Sequence, residues 1–109
     1  MGGGNPALMR QLQKMQEDMV AAQEALANET VEVSRNGVTV VITGHQRVQS
    51  ITIDKSKIDI SDEEWATDLQ DFMVIAVNEA IEQSQTMAAR RMEEITGGLG
   101  GMPGLGGLL

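Results

Sequence analysis

The only histidine of the chain, His45, is followed by Ser50 and Asp54, the three residue types of a hydrolytic triad. Nucleophilic catalysis needs more than their presence. The serine must stand on a sharp turn that aims its hydroxyl at the imidazole, and no such motif surrounds Ser50. His45 falls in a short turn and reads as a surface residue, so no catalytic residues are expected. The acidic run of Asp62, Glu63, Glu64, Asp68 and Asp71 lacks the alternating loop ligands of a calcium site. It fits the attraction of a helix N-terminus for negative charge, and no metal is expected there. The absence of cysteine excludes disulfides, thiolate metal sites and a cysteine nucleophile together. No cofactor and no small-molecule substrate is expected, and the chain reads as a protein that is not an enzyme.

What remains is charge. Eight Lys and Arg face sixteen Asp and Glu, a formal net charge of -8. Phosphate binding releases counterions only where cations engage the backbone, so a chain this acidic can hold nucleic acid only if its cations are gathered. They are Arg10, Lys14, Arg35, Arg47, Lys55, Lys57, Arg90 and Arg91. Their usefulness depends on the elements that carry them.

Asn5-Pro6 reads as an N-cap followed by proline at the first helical position. Leu8, Leu12, Met15, Met19, Ala22 and Leu26 then recur at alternating gaps of four and three, a heptad seam with coiled-coil character on an otherwise polar helix. Met15 and Met19 suit core packing, although methionine also serves adaptable binding grooves. After Asn28 the period falls to two. Val31 and Val33 alternate with Glu32, Asn36-Gly37 marks a tight hairpin, Val38 to Thr43 forms the next strand, Gly44 to Gln46 a second connection, and Val48 to Ile53 a third strand. A loop from Lys55 to Ile60 leads to Ser61-Asp62-Glu63-Glu64, which has capping-box spacing and predicts a long helix from there to about Thr96. That helix is too long for a three-stranded sheet to cover. Trp65 is expected to anchor it to the sheet. The expected segments are a flexible start over 1–4, one domain over 5–96 and a Gly-rich disordered tail over 97–109.

Aromatic residues are only Trp65 and Phe72, and a single domain of this length buries little, so a second copy is expected to supply part of the core. No run approaches the about 20 apolar residues of a membrane span, and Met1 to Asn5 has neither a basic nor an apolar leader region, so a cytoplasmic protein away from membranes is expected. The first helix runs into the sheet by its C-terminus and the second leaves it by its N-terminus. Arg10 and Lys14 therefore sit at the sheet-distal end of one helix, and Arg90 and Arg91 at that of the other. Two readings stay open for these four: a basic cluster for a duplex, or ordinary helix decoration favoured in part by the macrodipole.

Gly37-Val38-Thr39-Val40-Val41-Ile42-Thr43-Gly44, Ser50-Ile51-Thr52-Ile53-Asp54 and Leu69 to Ala80, ending Ala76-Val77-Asn78-Glu79-Ala80, resemble the YbaB/EbfC family of nucleoid-associated proteins. Leu8-Met9-Arg10-Gln11 and Lys14-Met15-Gln16-Glu17-Asp18-Met19 are similar to its Met- and Gln-rich first helix, and Gly101-Met102-Pro103-Gly104 to its tail. The resemblance implies an α+β fold in the order α-β-β-β-α, a tweezer-like homodimer with projecting helices, and a role in binding bacterial DNA and organising the nucleoid. The expectation is a homodimer that binds double-stranded DNA through Arg10, Lys14, Arg90 and Arg91. Sequence readout is expected to be slight, since no recognition helix rich in Asn or Arg is present. The rival is a dimeric protein-interaction scaffold that grips its partner through the Met-rich seam and the tail.

Overall fold

The protein is described by a computed structural model covering residues 5–100, the last three through their backbone alone. The flexible start expected over 1–4 and the tail beyond 100 lie outside the described residues. The elements run α1 (Pro6–Leu26), β1 (Thr30–Arg35), β2 (Val38–Thr43), β3 (Val48–Ile53), a single 3-10 turn (Lys55–Lys57) and α2 (Trp65–Gly100). The expected α+β order of helix, three antiparallel strands and long helix is the observed one.

Asn5 caps α1 as its sequence predicts: its side-chain oxygen accepts the N–H of Ala7 at 3.0 Å, satisfying a donor that has no partner within the helix. Along the α1 seam Leu8, Met15 and Met19 are half-buried, Leu12 is exposed, and Ala22 and Leu26 are buried.

The sheet has the order β1-β2-β3, antiparallel throughout. Asn36 and Gly37 take φ of +49° and +89°, the left-handed pair that a two-residue hairpin between right-twisted strands requires. Pairing places Val33 opposite Val40 and Val40 opposite Ile51, while Val38 lies opposite Ile53 and Ile42 opposite Val48. Residues directly opposite share a face, so these side chains form one apolar surface. Ala76 and Ala80 of α2 sit on the part made by Val33, Val38, Val40 and Ile42, and their small side chains let the helix come close. Leu69, Phe72, Met73, Val77 and Ile81 complete the packing. The β3 part of the same surface is bare: Val48, Ile51 and Ile53 are between 38% and 41% exposed.

Three expectations about α2 are revised. The helix begins at Trp65 rather than at Ser61. Asp59 accepts both the N–H and the hydroxyl of Ser61, and Asp62 accepts the N–H of Glu64 at 2.9 Å. These two side-chain turns occupy the groups a capping box would have used. Trp65 is not a buried anchor; at the first helical position it is 40% exposed. The helix also continues past Thr96 to Gly100, because glycine weakens a helix by only about 1 kcal/mol per residue and does not forbid it. Its 36 residues span about 54 Å.

By its internal contacts the chain divides into two compact units. One holds Met1–Ala25 with Ala89–Leu109, and the other Leu26–Ala88.

Candidate nucleic-acid interface

All four cations expected at the helix ends belong to the first unit. Arg10 and Lys14 lie four residues apart on one stripe of α1, both exposed. Lys14 forms a 3.4 Å ion pair with Asp18 one turn on, and both side chains remain largely in solvent. Such a pair contributes little and exchanges readily for another anion. No acid stands in the first turn of α1, so the positive end of the helix dipole reinforces Arg10 nearby. On α2, Arg90 is exposed and Arg91 half-buried.

The other four cations, Arg35, Arg47, Lys55 and Lys57, belong to the second unit. Arg35, at the end of β1, is held by an ion pair to the Glu79 carboxylate of α2. Lys57 brings its Cβ beside Gly37 in the hairpin, so its stem is part of the local packing. The unit is strongly acidic. Asp54 and Asp59 accept hydrogen bonds from the side chain and backbone of Ser56 and Ser61 respectively, which hold both carboxyls below the ordinary aspartate range. Among the described residues no group of three or more His, Cys, Asp or Glu is arranged to hold a metal. No described helix is long and apolar enough to cross a membrane.

Within the second unit the connection between β2 and β3 is tied to Leu26 and to Ser84. Gly44 donates its N–H to the carbonyl of Leu26 at 2.9 Å, closing one of the acceptors left open at the end of α1. A Cβ on Gly44 would stand 2.6 Å from Leu26 Cδ2 and 2.8 Å from its carbonyl oxygen, so only glycine permits this approach. Across the same connection Ser84 of α2, fully buried, donates its hydroxyl to the Thr43 carbonyl at 2.6 Å and accepts Gln46 Nε2 at 3.1 Å. Sequence reasoning passed over Ser84 and Gln46. The signal for Ser84 was its spacing, four residues after Ala80 and eight after Ala76, a polar residue in the apolar register of α2.

The fold is α-β-β-β-α, and its exposed cations lie both on the two helices, as Arg10, Lys14 and Arg90, and in the second unit, as Arg35, Arg47, Lys55 and Lys57. Residues 1–99 match the YbaB/EbfC DNA-binding family, and the chain belongs to that family. It is 45% identical over 106 residues to a nucleoid-associated protein of Ruminiclostridium cellulolyticum, covering 95% of this chain and 90% of that one. It is 48% identical over 107 residues to a nucleoid-associated protein of Desulforamulus reducens, covering 96% and 98%. A nucleoid-associated protein of Chloroflexus aurantiacus is 42% identical over 97 residues, covering 87% and 94%. These names denote DNA-associated proteins, not enzymes.

Proposed function

We propose that this protein is a homodimer that binds double-stranded DNA in the cytoplasmic nucleoid with little sequence specificity, and so contributes to nucleoid organisation and gene expression. Arg10, Lys14, Arg90 and Arg91 make the phosphate contacts. The observation that carries this reading is the partition of charge: the unit holding these four cations has five acids, whereas the other unit has four cations and eleven acids. A polyanion is repelled by the second unit and meets near-balanced charge, with exposed Arg10, Lys14 and Arg90, on the first. The family and the names of the relatives support DNA as the partner.

The homodimer is supported by the bare apolar surface of β3. Val48, Ile51 and Ile53 continue the core beyond the edge of α2, and Val74 and Ile75 of α2 add exposed apolar surface in the same unit. Each side chain of this kind gains about 1.5–3 kcal/mol when fully buried, and a second copy offers the same surface in return.

The test is a salt titration of duplex binding by the wild type and two variants. One changes Arg10, Lys14, Arg90 and Arg91 to glutamine, and the other changes Arg35, Arg47, Lys55 and Lys57. Wild-type affinity should fall steeply with salt, and the first variant should lose most of its affinity, its slope flattening by about 0.9 for each phosphate contact removed. The second removes the same formal charge and should bind nearly as the wild type does. Loss in the second with retention in the first would place the contact on the other unit. No wild-type binding even at low salt would leave the scaffold reading instead.

A further inference from the structure

We infer that the turn leading into α2 is a docking surface for a basic protein segment, with exposed Ile60 and Trp65 as its apolar contacts and Asp59, Asp62, Glu63 and Glu64 as the charges around them. The surface lies wholly in the unit of Leu26–Ala88, and it needs neither the DNA contacts nor the bare strand surface invoked above.

Two large apolar side chains stand out of an ordered turn. Ile60 is 74% exposed, and Trp65, the only tryptophan of the chain, is 40% exposed. Asp62 donates its N–H to the Asp59 carbonyl and Trp65 donates its own to the Asp62 carbonyl, both at 3.1 Å. The Asp59 and Asp62 side chains hold the N–H groups of Ser61 and Glu64. These bonds close two consecutive turns between residues 59 and 65, so both apolar side chains are displayed on one short, pre-shaped stretch. A partner that binds there loses little to the ordering of this chain.

The four acids are all exposed, and among the described residues none of them is in an ion pair. After Lys57 the next cation in the sequence is Arg90, so the stretch that follows the turn brings no basic residue to neutralise them. The attraction of a helix N-terminus for negative charge accounts for acids beside Trp65, but not for Ile60 or for an indole left in water. Scattered exposed apolar residues are ordinary. A tryptophan and an isoleucine on one short turn, rimmed by charge, instead have the composition of a protein contact, where tryptophan is enriched at the energetic centre. The sign of the rim chooses the occupant: nucleic acid and anionic lipid are repelled, whereas a segment bearing lysine or arginine is attracted. An aliphatic side chain between those cations would cover Ile60 and Trp65, at about 25 cal/mol per Å² of apolar surface removed from water.

Trp65 reports on its own contact, since its indole is the only one in the chain. Its emission is followed while the full-length protein is titrated with a synthetic amphipathic peptide of lysine and leucine, with the same peptide carrying glutamate for lysine, and with one carrying serine for leucine. The lysine–leucine peptide should shift the emission to the blue with an affinity that falls as salt rises, and the other two should leave it unmoved. Ile60→Ser and, separately, a variant combining Asp62→Asn, Glu63→Gln and Glu64→Gln should each weaken binding on the order of tenfold. The asparagine side chain keeps an acceptor for the Glu64 N–H, and all four positions are exposed, so both variants should stay folded. A control that changes Glu17, Glu24 and Glu93 to glutamine removes the same formal charge from exposed positions of the other unit and should bind as the wild type does. An emission that the lysine–leucine peptide does not move, or that the glutamate–leucine peptide or duplex DNA moves equally, would overturn the proposal. So would wild-type affinity in either variant, or a control weakened as much as the three-acid variant, which would reduce the effect to net charge. An emission that moves when the protein alone is diluted would give the patch to a second copy and overturn it too. None of these outcomes bears on the DNA reading, which stands or falls by the salt titration.

Discussion

The two compact units of the chain carry four cations each, yet they differ in how many acids accompany them. In the unit of Met1–Ala25 and Ala89–Leu109 there are five acids, and the ion pair of Lys14 with Asp18 lies largely in solvent. In the unit of Leu26–Ala88 there are eleven acids, and Arg35 is committed to half-covered Glu79. The net charge of -8 is thus carried almost wholly by one unit. A summed charge describes solubility and long-range repulsion, but phosphate contacts are local and follow the distribution. The acidic unit is also the one with the bare apolar strand surface, which assigns it to self-association in the proposed dimer.

The sharpest way to break that contrast is to place a charge on the apolar surface of the acidic unit. Ile51→Glu puts a carboxylate at the centre of the β3 surface, opposite Val40, where the wild-type residue is 41% exposed. In a two-fold dimer the substitution acts twice. With about 1.5–3 kcal/mol at stake per buried isoleucine, the dissociation constant should rise on the order of hundredfold or more. Sedimentation across a concentration series measures it, alongside a wild-type unfolding midpoint that rises with concentration. A variant that dimerises as tightly as the wild type would show that the bare strand is not the contact between copies.

A smaller effect separates the packing of the two units. Gly44→Ala inserts a Cβ within 2.6–2.9 Å of three Leu26 atoms, and forcing an extra carbon into such a site costs about 1–3 kcal/mol. Gly97→Ala meets nothing within 4 Å and lies inside α2, so it should stabilise by up to about 1 kcal/mol. Denaturant unfolding of the two variants should shift in opposite directions. Equal, small shifts would mean that the loop around Gly44 yields freely and is no rigid joint.

The difference between these glycines also marks where the sequence is legible. Asn5-Pro6 and Asn36-Gly37 could be read because each solves a local problem, an open helix donor in one case and positive φ in the other, with residues adjacent in the chain. The three strands could be read from alternation. The start of α2 could not, since Ser61 faced a choice between a capping box with Glu64 and a turn with Asp59, and either satisfies the local rules. Trp65 and Ser84 could not either. Burial of a helical residue depends on how far the sheet extends beneath it, so the large apolar residue stands in solvent and the small polar one is enclosed. The tie from Ser84 to Thr43 spans 41 positions, a separation on which a local pattern has no purchase.

The mildest effect concerns acid, and it belongs to the acidic unit alone. Asp54 and Asp59 are each held below the ordinary aspartate range by hydrogen bonds from the serine two residues on. A carboxyl whose folded value is depressed contributes stability that is fully present above the unfolded value, close to 3.8, and lost as pH falls through the folded value. From neutral pH down to about 5 these two groups should therefore leave the thermal midpoint unchanged, and their contribution should fade only below the unfolded value. Both carboxyls are in solvent, so the loss is small. An Asp54→Asn, Asp59→Asn variant keeps acceptors for both serines but cannot titrate. Its midpoint should lie slightly below the wild type at neutral pH and meet it in strong acid. A gap that stays constant from neutral to strongly acidic pH would assign the turns' contribution to shape alone, and the depressed carboxyls would then have no part in how the acidic unit responds to pH.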